Sequence, residues 1–256
     1  MTSLRSPRDA DLAAVQNPVL PAGPDERFVG SGVMGLPFAS GHYLALRHFP
    51  ATSFGPRFRA LWHRDPLGAW TFYSTAPAQL SCARYFSSAT TNEPVRCGID
   101  VAWLSAWSMR VRVDDLLDWQ IDMRSTPATR LMSTIGARLP EWAWTNRGVL
   151  AALGRAAGPV LGVGRVGLYG IAPNGQYFMT APARVWAVTG SRALLGGEEF
   201  GPIGPLPQQA RLGDFWLPQQ GIFAAGRARF ETFDAGRHRV ATGARGTTQT
   251  EDKESR

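Results

Sequence analysis

Short apolar segments separated by turn signals run through most of this chain. The segment at 117–123, LDWQIDM, alternates apolar and polar side chains without a break, which is the pattern of a strand with one buried face. Tight-turn sequences separate such segments: Asp-Pro-Leu-Gly at 65–68, Asn-Gly at 174–175 and Gly-Gly at 196–197. Because these turns reverse the chain within a few residues, the pattern restricts the fold to an antiparallel sheet of consecutive hairpins.

The same criteria predict about nine or ten strands in one domain over 28–233. The segments, of which 176–189 and 185–195 overlap, are 42–49, 58–64, 70–75, 80–86, 95–104, 108–113, 117–123, 163–171, 176–189, 185–195 and 222–230. A sheet of this size usually closes on itself or stacks as a sandwich, because an open edge exposes unpaired backbone groups. We therefore predict a mainly β domain built as an antiparallel β-barrel.

One stretch has the spacing of helices instead. Thr126 and Pro127 form a good helix start, apolar residues then recur at helical spacing to Leu139, and Asn146 can cap a second helix. We expect a helical hairpin over 127–158, inserted between strands. Its tryptophans and arginines suit a lid over the barrel mouth or a peripheral membrane contact, and packing on the barrel wall is the plainer alternative.

Both ends of the chain differ in character from the middle. Residues 1–27 are polar with scattered prolines, and residues 234–256 contain almost no large apolar side chain. We predict a flexible N-terminal arm and a disordered tail for these two segments. No Ser/Gly linker and no repeat of fixed period divides the residues between them.

The basic residues are almost all arginine. Of the 27 basic residues the only lysine is Lys253, in the polar tail. The domain therefore offers no lysine for a Schiff base, pyridoxal phosphate or a P-loop. The net charge is +7, but the arginines are dispersed, which argues against a nucleic-acid surface.

Cofactor and metal motifs are weak. Two Gly-x-Gly-x-x-Gly matches, at 30–35 and 162–167, do not join a strand to a helix as a dinucleotide site requires, so we interpret them as turn or bulge glycines. No metal-binding spacing of His and Cys occurs, and we expect neither a cofactor nor a metal.

The sequence shows no secretory h-region, and arginines interrupt the apolar stretch at 149–171, which argues against a membrane-spanning helix. We therefore expect a cytoplasmic protein, in which Cys82 and Cys97 are free thiols.

A few polar residues can supply acid/base chemistry inside a barrel. The candidate catalytic residues are His63, Asp118, Asp122, His42 and His48. Each also has a plainer interpretation: the aspartates face water, His63 bonds to its turn, and the other two are satisfied core histidines.

Aromatic side chains are abundant on the predicted strands. Large rings either fill a barrel or line one that stays open to an apolar ligand. The candidate ligand-binding residues are Trp62, Trp70, Tyr73, Trp103, Trp119, Tyr177 and Trp186.

Three features of the chain carry a resemblance to a known family: the strand meander containing Trp70-Thr71-Phe72-Tyr73-Ser74, the aromatic interior and the late strand at 222–230. In these features the chain resembles the calycin group. This group comprises lipocalin-like barrels and includes enzymes of the tocopherol-cyclase and carotenoid-hydratase type. The resemblance covers about residues 40–232 and implies a barrel around a hydrophobic ligand. No motif matches residue by residue, so it assigns no functional residue. Barrels like acetoacetate decarboxylase are set aside, because their chemistry uses a lysine that this domain lacks.

Three functions follow as hypotheses. The first is a barrel enclosing a hydrophobic small molecule (polyene, isoprenoid or acyl), which as an enzyme would be a cofactor-independent cyclase, hydratase or isomerase using His and Asp groups. The second is a carrier of a lipid or small molecule without chemistry. The third is an arginine-mediated contact with an anionic membrane or a nucleic acid. The oligomeric state is not predicted.

Overall fold

The described part of the chain, residues 6–240 of this computed structural model, contains four α-helices and fourteen strands. The helices are α1 (Pro7–Gln16), α2 (Ala83–Phe86), α3 (Pro127–Arg138) and α4 (Arg147–Leu161). The strands are β1 (Glu26–Pro37), β2 (Tyr43–Thr52), β3 (Phe58–Arg64), β4 (Trp70–Ser74), β5 (Val95–Arg96), β6 (Ile99–Trp103), β7 (Ser108–Val113), β8 (Leu117–Arg124), β9 (Tyr169–Ile171), β10 (Tyr177–Leu195), β11 (Glu198–Glu199), β12 (Arg211–Leu212), β13 (Phe215–Trp216) and β14 (Ile222–Phe230). The predicted mainly β class is confirmed.

Ten strands form one continuous curled sheet in the order β5-β4-β3-β2-β1-β14-β10-β8-β7-β6. The pairs are antiparallel except β4 with β5, which is parallel. Short β9 and β11 attach to β10, and β12 pairs with β13 apart from the main sheet. Within the described residues the two edge strands, β5 and β6, do not pair with each other, so the sheet is a half-barrel. The predicted closed barrel is wrong.

The last long strand lies in the middle of this sheet. β14 pairs with β1 from Glu26↔Phe230 onward and with β10 from Phe178↔Phe230 onward. The residue range predicted for this strand is confirmed. Its position is not the one suggested by sequence order, in which the last strand would close the sheet at its edge.

Side chains of the central strands pack into two separate cores, because successive residues of a strand point to opposite faces of the sheet. On β2, Leu44 and Leu46 enter a first core, while Tyr43 and Ala45 enter a second one. The first core also contains the apolar face of β8, as its strict alternation predicted. The second contains the aromatic residues of β3 and α2 and, from β4, Trp70 and Phe72.

The glycines of the first Gly-x-Gly-x-x-Gly match lie within β1. A Cβ on Gly30 or Gly32 would come within 2.0 Å of the carbonyl oxygens of His48 and Leu46, respectively. The register between β1 and β2 shifts at this place. These glycines therefore allow a bulged strand to pass close to its neighbour, and the interpretation as bulge glycines is confirmed.

The helical insert has the predicted caps and a longer second helix. The Thr126 hydroxyl accepts a hydrogen bond from the backbone N–H of Thr129, and the Asn146 side chain caps α4. α4 continues through Pro159 and ends at Gly162, whose φ is +67°, so the predicted end at 158 is too early. None of the helices within residues 6–240 is long and apolar enough to span a bilayer.

Some predicted strands are shorter or have a different structure. Residues 80–86 were predicted as a strand, but 78–80 form a 3-10 turn and 83–86 form α2. A short apolar run carries no periodicity that separates strand from helix. Of the strand predicted at 163–171 only β9 forms, since Gly164 adopts φ +78°.

The N-terminal segment predicted as a flexible arm contains α1, which packs on β1 and β14. Its buried Asp11 accepts hydrogen bonds from Ser31 Oγ (2.5 Å), His48 Nδ1 (2.8 Å) and Trp103 Nε1 (2.9 Å). Burial acts to raise the pKa of Asp11, but the interactions with His48 and the other donors outweigh it, and the pKa is lowered. The carboxylate therefore anchors the helix to three strands.

Most of the predicted tail, residues 241–256, lies outside the described residues. The part within them forms a turn in which Asp234 N–H donates to His238 Nδ1 at 2.9 Å, and His238 is buried.

We expect Asp11→Ala to lower the free energy of unfolding by about 2–3 kcal/mol, because it leaves buried donors without their acceptor. Urea unfolding followed by tryptophan fluorescence measures the change. In the matched control Asp9→Ala, the lost carboxylate interacts only with the helix dipole, and we expect a loss below about 1 kcal/mol. Equal losses in the two variants would contradict the anchoring role of Asp11.

Candidate ligand-binding cavity

A cavity of about 190 Å³ lies between the sheet and the helical insert. Strands β1, β2, β3, β10 and β14 form one side, and α2, α3 and α4 contribute to the others. Nearly all of its walls are carbon, from Phe, Trp, Leu, Met, Val and Ala side chains. A concave apolar space with few polar groups is the usual form of a small-molecule site.

The sequence of the insert explains how it covers this space. Along α3, Met132, Ile135 and Leu139 line the cavity, at the i, i+3, i+7 spacing of one helix face. The opposite face, with Arg130 and Arg138, is exposed. The insert thus packs on the sheet and forms a wall of the cavity.

A close approach between α3 and β10 completes that wall. A Cβ on Gly136 would lie 2.6 Å from the carbonyl oxygen of Pro182, so a larger residue would push the helix away from the sheet. On the sheet side, β14 carries small residues, Ala224 to Gly226 and Ala228, at the cavity. Small side chains below the helices leave the space that larger ones would fill.

One charged side chain is buried in the wall. Arg47 of β2 is 4% exposed and lines the cavity. Its Nη1 donates to the carbonyl oxygens of Val33 (2.7 Å) and Leu46 (3.0 Å), and its Nη2 donates to that of Met34 (3.1 Å). The guanidinium carbon lies 4.5 Å from the ring centroid of Trp62, a cation–π contact.

Arg47 has no carboxylate partner among the described residues. Its guanidinium forms none of the ion pairs within 4.0 Å in residues 6–240. Burial lowers the pKa of Arg47 from 12.5 to about 10, so the group still carries its charge at neutral pH. The cavity wall therefore holds a positive charge whose partners are only carbonyl dipoles.

Three further residues with polar groups line the cavity, and two of them, Trp62 and Cys82, lie near this arginine. The buried Trp62 Nε1 has no oxygen or nitrogen acceptor among the described residues, and it lies beside the Cys82 thiol, whose pKa it acts to lower. Burial raises the pKa of the Cys82 thiol to about 12, so the thiol is neutral at physiological pH. Burial, followed by the charge of Glu26, also raises the pKa of Tyr85.

A buried carboxylate fixes Tyr85 and α2. Glu26 accepts hydrogen bonds from Tyr85 Oη (2.5 Å), from Arg84 Nε and Nη2 (3.0 and 2.6 Å), and from Gln176 Nε2 (3.2 Å). Burial acts to raise the pKa of Glu26, but these donors outweigh it and the pKa is lowered. The network holds one wall of the cavity in place.

The predicted aromatic residues divide between this cavity and other places. Trp62 lines the cavity, and Tyr73 lines a second space of about 240 Å³ beside β4 and β5. The other five lie elsewhere: Trp70 packs edge-on against Tyr43, Trp103 donates to Asp11, Trp119 donates to Ser191 Oγ, Tyr177 stacks on Tyr169, and Trp186 packs on Phe223.

Two of the predicted histidines form a pair. His42 Nδ1 lies 3.0 Å from His63 Nε2, and both rings stack with Phe200. Burial and then the neighbouring His42 lower the pKa of His63 to about 4, and burial lowers that of His42. Both rings are therefore neutral at pH 7. His48 is bound to Asp11, as described above.

The predicted aspartates lie on the solvent side of β8. Asp118 is ion-paired with Arg110, whose hydrogen bond is the main cause of its lowered pKa. Asp122 is exposed. None of the five acid/base candidates lines the cavity, because the strand faces that carry them point away from it. Within residues 6–240, no three His, Cys, Asp or Glu side chains group as a metal site would require.

The sequence interpretation missed Arg47, Cys82 and Tyr85. A signal for Arg47 was present: it shares a strand face with Tyr43 and Ala45 in HYLALRHF, a segment apolar on both faces. A charged residue in such a segment must be buried with partners or beside a ligand. Cys82 and Tyr85 fell within the segment predicted as a strand.

We expect Glu26→Gln to lower the free energy of unfolding by about 2 kcal/mol at pH 7, because it weakens charge-assisted hydrogen bonds in a buried network. Since the pKa of folded Glu26 lies below the ordinary glutamate value of 4.5, its contribution to stability is present above that pH and disappears as the pH falls through the folded pKa. Urea unfolding at pH 7 and at pH 3.5 measures both effects.

The control Glu199→Gln removes an exposed ion pair with Arg192, which contributes at most about 1 kcal/mol. A pH-independent difference between wild type and Glu26→Gln would contradict this assignment.

Comparison with known proteins gives a coarse structural likeness. No family model and no curated protein matches the chain. Among solved structures, it is similar to acetoacetate decarboxylase from Legionella pneumophila subsp. pneumophila str. Philadelphia 1, with 8% sequence identity and a TM-score of 0.40, over 95% of this chain and 98% of that chain.

Proposed function

We propose that this protein binds an apolar small molecule in the cavity between the sheet and the helical insert. The observation that carries the proposal is the cavity itself, whose lining is almost entirely carbon, unlike the more polar second space beside β4 and β5. Protein interiors leave few spaces larger than a water molecule. A space of about 190 Å³ therefore needs an explanation, and an apolar ligand supplies one.

The cavity volume limits the size of this ligand. An engineered apolar cavity of about 150 Å³ takes up benzene, and drug-sized ligands use roughly 300–1,000 Å³. A substituted ring or a short alkyl chain matches the observed volume of about 190 Å³.

The polar groups at the cavity support binding more than acid/base catalysis. The proposed cyclase, hydratase or isomerase depended on His42, His48, His63 and the aspartates of β8, which lie away from the cavity. Cys82 and Tyr85 do line it, but both have raised pKa values and hold their protons at neutral pH. We therefore favour the carrier or sensor over the acid/base enzyme.

We expect toluene and indole to raise the Tm of the wild-type protein, because a ligand that binds only the folded state stabilises it by about 2.7 kcal/mol at one hundred times its Kd. Ala157, on α4, lines the cavity, and Ala157→Phe should abolish the shift by filling the space. The matched control Ala152→Phe, at an exposed position of the same helix, should keep it. The proposal fails if neither probe shifts the wild-type Tm, or if both variants respond as the wild type does.

A second candidate function is contact with an anionic membrane through the outer surface of the insert. Leu131 is 53% exposed and Trp142 is 62% exposed on this surface. The arginines at 130, 138, 147 and 155 are exposed beside them. The single acidic residue of the insert, Glu141, is ion-paired with Arg227. Exposed apolar side chains among unneutralised arginines favour the interface of an anionic bilayer.

We expect the protein to sediment with vesicles of equal parts phosphatidylcholine and phosphatidylglycerol, and not with phosphatidylcholine alone. Trp142→Ser should weaken this binding several-fold, because it removes the side chain that enters the interface. Leu67→Ser, at a 95% exposed position outside the insert, is the matched control and should bind as wild type does. Equal binding to both vesicle types would contradict the electrostatic part of the proposal.

A further inference from the structure

The arginines near the cavity differ in how their charge is neutralised. Arg84 is paired with Glu26, Arg227 with Glu141 and Arg229 with Asp25. Arg47 is more deeply buried than any of them, yet its three hydrogen bonds all go to carbonyl oxygens. A buried charge without an opposite charge is costly, so Arg47 is the group whose energy a bound anion would lower most.

Arg47 also has hydrogen-bonding capacity left over. A guanidinium carries five N–H donors, and the described residues accept three hydrogen bonds from this one. Two donors remain, and a carboxylate can accept two hydrogen bonds from one arginine. Trp62 lies under the guanidinium, and its ring holds that group at the cavity wall.

The single positive charge of the site favours an anion with one negative charge over an anion with two. One guanidinium neutralises one negative charge, which is that of a carboxylate at pH 7. A phosphate monoester carries about −1.5 to −2 charges and would leave an excess negative charge against apolar walls. The remaining lining, including the neutral Cys82 thiol, offers no second cation without an acidic partner.

We infer that the cavity recognises a small monocarboxylate, whose apolar body occupies the carbon-lined space and whose carboxylate accepts hydrogen bonds from Arg47. The inference rests on the proposed ligand-binding function and names the class of ligand. The volume of about 190 Å³ fits an aryl-substituted or short-chain acid better than a long fatty acid.

A purely structural role for Arg47 is the competing explanation. Its acceptors Val33 and Met34 lie where the register between β1 and β2 shifts, so the side chain replaces backbone hydrogen bonds that the bulge removes. That role predicts no preference of the cavity for acids over neutral molecules of the same shape.

The test compares 3-phenylpropanoate with 3-phenylpropan-1-ol by isothermal titration calorimetry at pH 7. We expect wild type to bind the acid about tenfold or more tightly than the alcohol, because a hydrogen bond to a charged group is stronger than one to a neutral group. Arg47→Met should remove this preference. Arg229→Met, which removes a cation outside the cavity lining, should retain this preference.

Equal affinities of wild type for the acid and the alcohol would overturn the inference while upholding the binding function. If neither molecule, nor toluene or indole, binds, the binding function itself fails.

A second measurement needs no variant, in case Arg47→Met does not fold. Carbon-13 NMR of 3-phenylpropanoate labelled at its carboxyl carbon gives the pKa of the bound acid. A neighbouring guanidinium lowers a carboxyl pKa, whereas an apolar cavity alone raises it. We expect the bound pKa to lie below that of the free acid, and a raised value would overturn the inference.

Discussion

The central strands of the sheet are buried on both faces, and the rest of the structure depends on this constraint. Each residue in the first half of β2 is buried and faces either the first or the second core, so a polar side chain there must find partners inside the protein. Two neighbouring polar residues satisfy this requirement in different ways. His48 is bonded to Asp11 and thereby helps to hold α1, while Arg47, on the other face, reaches carbonyl oxygens at the cavity wall.

The same constraint separates the residues that look catalytic from the space that can hold a ligand. His42 and His63 face each other beside Phe200, and their low pKa values follow from burial. The cavity, in contrast, contains donors and neutral groups. A site built of donors in an apolar cavity recognises and holds a molecule, and this chemistry explains our preference for binding over acid/base turnover.

Local features of the fold were predictable, and long-range ones were not. The strands at 58–64, 108–113 and 222–230 match their predicted ranges to the residue, because their apolar patterns and turns are local signals. The position of β14 between β1 and β10 joins segments far apart in sequence, and no local pattern encodes it. The open edge between β5 and β6 likewise depends on the curvature of the whole sheet. Of the candidate site residues only Trp62 reaches the cavity, since an aromatic residue that fills a core has the same pattern as one that lines a space.

The central position of β14 has a consequence for how the chain reaches this structure. Before residues 222–230 leave the ribosome, β1 and β10 have no strand between them, and each presents an unpaired edge. Such edges are where partly folded chains associate with one another. Pairing of Glu26 with Phe230 also closes a very long loop, which slows folding. The interval between synthesis of β10 and synthesis of β14 is therefore when this protein most needs protection from aggregation.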